Sequence, residues 1–330
     1  MTLQSDLMTK MNMAEALNLA LKQEMQRDKT VLVLGEDVGV DGGVFRITDG
    51  LLEKFGENRV IDTPLAESGI VGTSIGLSMN GFKPVAEIQF SGFSYLGFDQ
   101  LAEHASRMRN RSKGRFSCPM VVRMPYGGGV RALEHHSESY ETIYAHPPGF
   151  KVVIPSRPYD AKGLLISAIR DPDPVIFMEP KRVYRMIKEE VPEEEYTIPL
   201  GQANVVQEGS DVTLITYGSM LHTCLPAMEQ LSNVSIELID LRTVKPLDSA
   251  TVIESVKKTG RCVIVHEAPR TCGIAAELIA RINEKAFFNL NAPVERVTGY
   301  DTIIPLMQRE QEYLPQPAKI VDAINRTMQY

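Results

Sequence analysis

The chain has 330 residues, with 35 Lys and Arg against 42 Asp and Glu, for a formal net charge of −7. At roughly 150 residues per domain, this length points to two domains, each able to bury a core without disulfide staples. The 43% apolar and 23% charged residues exclude disorder, collagen and coiled coil; the acidic balance argues against nucleic-acid binding; no apolar run reaches the roughly 18 residues of a membrane span.

Residues 1–12 show no apolar leader segment, and residues 13–27 carry helix-like apolar spacing. The run 31–35 (VLVLG) reads as a strand, followed in GEDVG by Glu36 and Asp37, whose plain account is a solvated acidic loop. In 62–72 (DTPLAESGIVG) Pro64 sets a turn and the run 68–80 reads as a helix, so Glu67 sits at or near its N-terminus. A carboxylate there is favoured by the macrodipole, and a first-turn cap is its simplest role. Gly69, Gly72 and Gly76 share one face of that helix. Each costs about 1 kcal/mol relative to Ala, so the smooth face suits close approach of another backbone or a ligand.

Residues 84–90 (PVAEIQF), 120–124 (MVVRM), 151–155 (KVVIP) and 175–177 (VIF) read as further strands, with helical spacing at 98–110 and 159–170. Arg107, Arg109, Arg111, Lys113 and Arg115 read as a solvated helix end. After YGGG (126–129) comes EHHSES (134–139), where His135 and His136 lie together in a polar loop. Histidine titrates near neutrality and suits proton transfer. Adjacent histidines share no helix face, and no partner stands at metal-ligand spacing. Residues 188–195 (KEEVPEEE) read as a linker, which divides the chain into 1–195 and 196–330. A second β/α series follows at 212–217, 235–241, 262–266 and 294–297.

The alternation implies an α/β protein with two open, mostly parallel sheets. Ligands bind beyond the carboxyl ends of such strands, which directs attention to 35–39, 63–69, 126–129 and 134–139. Cys118, Cys224, Cys262 and Cys272 form no CxxC pair and read as buried apolar residues of a reducing cytoplasm. There is no GxGxxG after a strand, no GxxxxGK[ST] and no GxSxG, so Rossmann, P-loop and α/β-hydrolase readings lack support.

Together GEDVGVDGGVFR, DTPLAESGIVG, AEIQF, YGGG with its His-Ser, HPPGFKVVIPS and DLRTVKPLD resemble the beta subunits of thiamine-diphosphate-dependent 2-oxo acid dehydrogenases. The likeness keeps the same order from about residue 13 to 330. PYDAKGLLISAIRDPDPVIF and EVPEEEYTIP look most like the bacterial pyruvate dehydrogenase group. Branched-chain 2-oxo acid and acetoin dehydrogenase beta subunits are near neighbours, and a non-catalytic assembly subunit is the rival outside the enzymes.

The resemblance implies a transketolase-like pyrimidine-binding domain followed by a transketolase C-terminal domain. The GDG…NN motif that holds Mg²⁺ and diphosphate is absent here, and in the family it lies on an alpha subunit. The implied assembly is a heterotetramer of two alpha and two beta chains, acting on pyruvate and on the lipoyl domain of a dihydrolipoamide acetyltransferase core. The same resemblance makes Glu67 the partner of the cofactor's pyrimidine nitrogen, with Leu65, Gln89 and Phe93 lining that ring. It makes His136 the acid–base group of lipoyl acylation and ranks His135 below it. Glu36 falls where the family has a proton tunnel between active sites. A structural K⁺ is implied near 118–121 and 168–173, with Asp171 and Asp173 as contributors.

Overall fold

A computed structural model describes residues 7–330; residues 1–6, part of the stretch read above for a leader, lie outside the described residues. β1 (Met8–Met11) leads into α1 (Met13–Arg27). A capping box closes that helix: the Asn12 side chain accepts from the Glu15 N–H, and the Glu15 carboxylate accepts from the Asn12 N–H. Next come β2 (Val31–Gly35), α2 (Leu51–Phe55), β3 (Val60–Asp62), α3 (Glu67–Met79) and β4 (Lys83–Glu87).

The helix expected over 98–110 is broken into α4 (Tyr95–Asp99), a π turn over Gln100–His104, a 3₁₀ turn and α5 (Met108–Arg111). The Ala105 N–H reaches back to the Gln100 carbonyl, one residue further than in an α-helix. Asp99, Gln100 and Ala105 keep right-handed helical dihedrals, so the segment stays helical in type and its local sequence does not announce the break. β5 (Val121–Tyr126), α6 (Glu141–Ala145), β6 (Lys151–Val153), α7 (Pro158–Arg170), β7 (Val175–Pro180) and β8 (Glu189–Pro192) follow.

β8 corrects the linker reading, because it pairs antiparallel with β1, Met8 opposite Pro192 and Met11 opposite Glu189, and buries Val191. Its partner is remote in sequence, so nothing local in KEEVPEEE announces a strand. Beyond it lie β9 (Asn204–Gln207), β10 (Val212–Thr216), α8 (Leu221–Glu229), β11 (Ile236–Asp240) and β12 (Thr243–Lys245). The chain continues through α9 (Ser249–Thr259), β13 (Cys262–Val265), α10 (Ile274–Ala286), β14 (Glu295–Val297), α11 (Glu310–Tyr313) and α12 (Pro317–Met328). No helix among the described residues is long and apolar enough to cross a membrane.

The larger sheet runs β12-β6-β7-β5-β4-β2-β3 and is parallel except for β12, which lies antiparallel to β6. The smaller runs β14-β13-β10-β11-β9, with only β9 antiparallel. Successive strand residues point to opposite faces. Leu32, Leu34, Val122, Met124, Ile176 and Met178 enter one core; Val31, Val33, Val121, Val175 and Phe177 enter the other. Both faces are covered, which is why these runs are continuously apolar. The first core continues through Ile215, Ile239 and Ile264 of the smaller sheet, so both halves of the chain share it.

Arg123 interrupts the second face of the larger sheet and is 1% exposed. Its Nε and Nη2 grip Glu179 Oε1 and Oε2 at 2.8 and 2.7 Å, and Nη1 reaches Glu87. Burial pushes the Glu87 carboxyl above its ordinary range, against the pull of Arg123.

A second buried acid, Glu141 on α6, accepts from the Tyr217 hydroxyl at 2.7 Å and leaves Oε2 without a partner. Burial pushes its carboxyl up to about 7. A raised folded-state value means stability that is present at low pH and lost as pH rises through about 7. Glu141→Gln keeps an acceptor for Tyr217 and lacks this loss. Its Tm relative to the parent is therefore expected to rise between about pH 5 and about pH 8. A difference independent of pH in thermal melts refutes this account.

Candidate active site

β5, β4, β2 and β3 are neighbours in the larger sheet, and their carboxyl ends deliver the candidate residues to one edge. Glu36 and Asp37 follow β2, and Glu67 opens α3 just beyond β3. Gln89, Phe90 and Phe93 follow β4, and the loop 127–137 with His136 follows β5.

Glu67 is 6% exposed, and its Oε2 is buried with no hydrogen-bond partner. The N-cap, Ala66, offers no side-chain acceptor to the helix. The first turn is backed by α4, where a Cβ on Gly97 would stand 3.2 Å from the Glu67 carbonyl. A buried carboxylate oxygen without a donor is costly, so the site fits a ligand that brings an N–H or a shared proton to Oε2. Glu36 is half-buried, and burial, then the charges of Asp37 and Glu67, hold its carboxyl above the usual range. Asp37 Oδ2 accepts from Gln89 Nε2 at 3.0 Å. Leu65 stands 70% exposed at the edge of the site.

Phe90 and Phe93 meet edge to face with centroids 5.8 Å apart. The His136 ring lies against both, 4.4 Å from Phe90 and 5.1 Å from Phe93. His136 Nδ1 stands 2.7 Å from the Glu134 carbonyl, an acceptor only, so Nδ1 carries the hydrogen. In the neutral ring that leaves the lone pair on Nε2, free to take a proton. His135 is exposed, in a left-handed conformation with φ 65°, and its backbone lies on Gly92.

A Cβ at Gly92 would fall 1.8 Å from the His135 carbonyl oxygen. Gly92→Ala is therefore expected to displace the histidine loop and lower any His136-dependent rate by about a hundredfold, since misplacement near 1 Å is enough. Kinetics of the assembled enzyme check this; an unchanged rate overturns it.

The structure treats the other candidates differently. Cβ atoms on Gly69 and Gly72 would meet nothing nearer than 3.6 Å, and one on Gly76 nothing within 4 Å. The close approach expected of this face is not made within the chain. Asp171 is held by Lys151 Nζ at 2.7 Å and Asp173 by Arg109 Nε at 2.7 Å. Each of these carboxylates thus carries an ion pair with a side chain of the same chain. Arg109 stays exposed, so this is a surface ion pair within the solvated basic run. Cys118, Cys224 and Cys262 are buried as expected, whereas Cys272 is exposed.

Phe90, Lys181, Glu267 and Glu310 escape the sequence reading yet border the site. Lys181 Nζ donates to the carbonyls of Gly127 and His136, and Glu267 Oε2 accepts from the Gly128 N–H at 2.9 Å. Lys181 and Glu267 lie directly beyond β7 and β13. The same attention to carboxyl ends, extended to those strands, reaches both.

Comparison with known proteins matches residues 9–186 to the transketolase pyrimidine binding domain and 201–320 to the transketolase C-terminal domain. The pyruvate dehydrogenase E1 component subunit beta of Acholeplasma laidlawii is 54% identical over 314 residues, 94% of this chain and 96% of that protein. Its counterpart in Bacillus subtilis strain 168 is 52% identical over 325 residues, 98% of this chain and all of that protein. A solved structure, a split gene transketolase described as an inactive beta4 tetramer, superposes with a TM-score of 0.78 at 20% identity, covering 97% of this chain and 99% of the other. That likeness concerns the fold alone. With half its residues shared over nearly their full length, this chain belongs to the family of pyruvate dehydrogenase E1 component beta subunits.

Proposed function

We propose that this chain, joined to an alpha subunit, decarboxylates pyruvate and transfers the acetyl unit to the lipoyl group of a dihydrolipoamide acetyltransferase. What supports this reading, beyond family membership, is the buried unpartnered oxygen of Glu67 at the strand edge where ligands bind. Thiamine diphosphate, when bound, supplies the electron sink for the bond that breaks on loss of CO₂. Glu67 shares a proton at Oε2 with the pyrimidine nitrogen; Leu65, Gln89 and Phe93 bound that ring. His136 Nε2 takes and returns a proton at the lipoyl sulfur. Glu36, its carboxyl held above the usual range by burial, passes protons along a tunnel between the two active sites.

Mg²⁺ and diphosphate are assigned to the alpha subunit, because this sequence has no GDG…NN. The outward glycine face of α3 suits the approach of that subunit. We further propose a tetramer of two alpha and two beta chains, a cytoplasmic setting, and a division of the chain at residue 195.

The deciding experiment compares kcat/KM for pyruvate and 3-methyl-2-oxobutanoate in the reconstituted enzyme. Pyruvate is expected to lead by about tenfold or more, the discrimination a small apolar pocket provides. The reverse order assigns the chain to branched-chain substrates.

A further inference from the structure

The His136 loop is held by charges from outside it. Lys181, 3% exposed, donates through one Nζ to the carbonyl of Gly127, which opens the loop, and to that of His136, near its close. Two acids arrive from the C-terminal half, Glu267 at 3% and Glu310 at 2% exposure. Glu267 accepts from the Gly128 N–H at 2.9 Å and from Ser219 Oγ at 2.8 Å. Glu310 accepts from the Arg131 N–H at 3.0 Å and from Ser137 Oγ, more distantly, at 3.4 Å.

The glycines of YGGG make room for this. A Cβ on Gly127 would come 2.5 Å from Glu267 Oε1, and one on Gly129 2.5 Å from Arg182 Cδ, while both residues are left-handed, with φ of 79° and 100°. Burial draws the Lys181 ammonium down to about 8 against the pull of Glu267, Glu310 and Glu138. Buried charged groups seldom add net stability over apolar packing, so the value of these three is in fixing one geometry. Lys181 fixes the His136 carbonyl, and the Glu134 carbonyl fixes its ring.

We propose that Lys181, Glu267 and Glu310 are positioning residues that hold the His136 loop at its working place. Through them the C-terminal half takes part in acyl transfer without touching the reacting atoms. The inference rests on the reading of His136 as the acid–base group.

The test uses the enzyme reconstituted with its alpha subunit and two rates: pyruvate decarboxylation with an artificial electron acceptor, and acetylation of a free lipoyl domain. Lys181→Met is expected to lower the ratio of acetylation to decarboxylation at least about tenfold through kcat, with KM for the lipoyl domain held within about twofold. Adding Lys181→Met to His136→Ala is expected to cost nothing further, since both act through one group. If His136→Ala itself leaves the ratio unchanged, the reading of His136 fails. If His136→Ala lowers it and Lys181→Met does not, the positioning role fails. Should Lys181→Met not assemble, Glu310→Gln carries the same measurement with the same two outcomes.

Discussion

Replacing Glu67 by glutamine in the enzyme assembled with its alpha subunit is expected to lower turnover by at least about a hundredfold, the scale of a lost proton-transfer group. Folding is expected to be unharmed, for a reason visible in the chain. Glu67 Oε2 already lacks a donor, so the amide removes no hydrogen bond at that atom, and it removes a carboxylate that repels Glu36. The Tm of the variant should therefore equal or slightly exceed that of the parent, because a buried oxygen without a donor is destabilising. A capping acid behaves oppositely: its loss costs about 0.5–2 kcal/mol and leaves the rate alone. Steady-state kinetics beside a thermal melt separates the two. Near-normal turnover with a lowered Tm would return Glu67 to a structural role and this subunit to non-catalytic assembly.

The largest effect on stability is expected at Arg123. Arg123→Met leaves Glu87 and Glu179 facing each other inside the sheet with no cation, and breaking a buried pair this way costs about 3–5 kcal/mol. The expected fall in Tm is roughly 5–15 °C. The triple variant Arg123→Met, Glu87→Gln, Glu179→Met should recover most of it, because the penalty lies in the stranded carboxylates. Differential scanning calorimetry of the single and triple variants checks the sign of both changes. A single variant as stable as the parent would show that the cluster carries no buried charge.

Glu36, Glu67 and His136 were legible because each comes after an apolar run, and a parallel sheet gathers the residues just past its strands on one edge. His136 took its meaning from a polar loop after glycines, but the reason for those glycines was hidden. They admit Glu267 and Arg182, residues remote from them in the sequence. β8 was illegible for the same reason, since a strand that pairs with residues 8–11 has no local apolar alternation to display. The glycine face of α3 was legible as a smooth surface, but nothing among the described residues packs closely on it.

β12 lies on the far edge of the larger sheet, lent by the half of the chain that builds the smaller one. Its Thr243 stands opposite Val153, and the Lys245 ammonium reaches back to the Ala145 carbonyl at 2.7 Å. The two halves are thus interlocked, not merely joined end to end. A protease cut between residues 195 and 203 should yield a nicked molecule that stays together, whereas either fragment made alone would carry an unpaired edge and half of a shared core. Neither half is a cassette to be transplanted into another enzyme; the unit that can be moved is the whole chain.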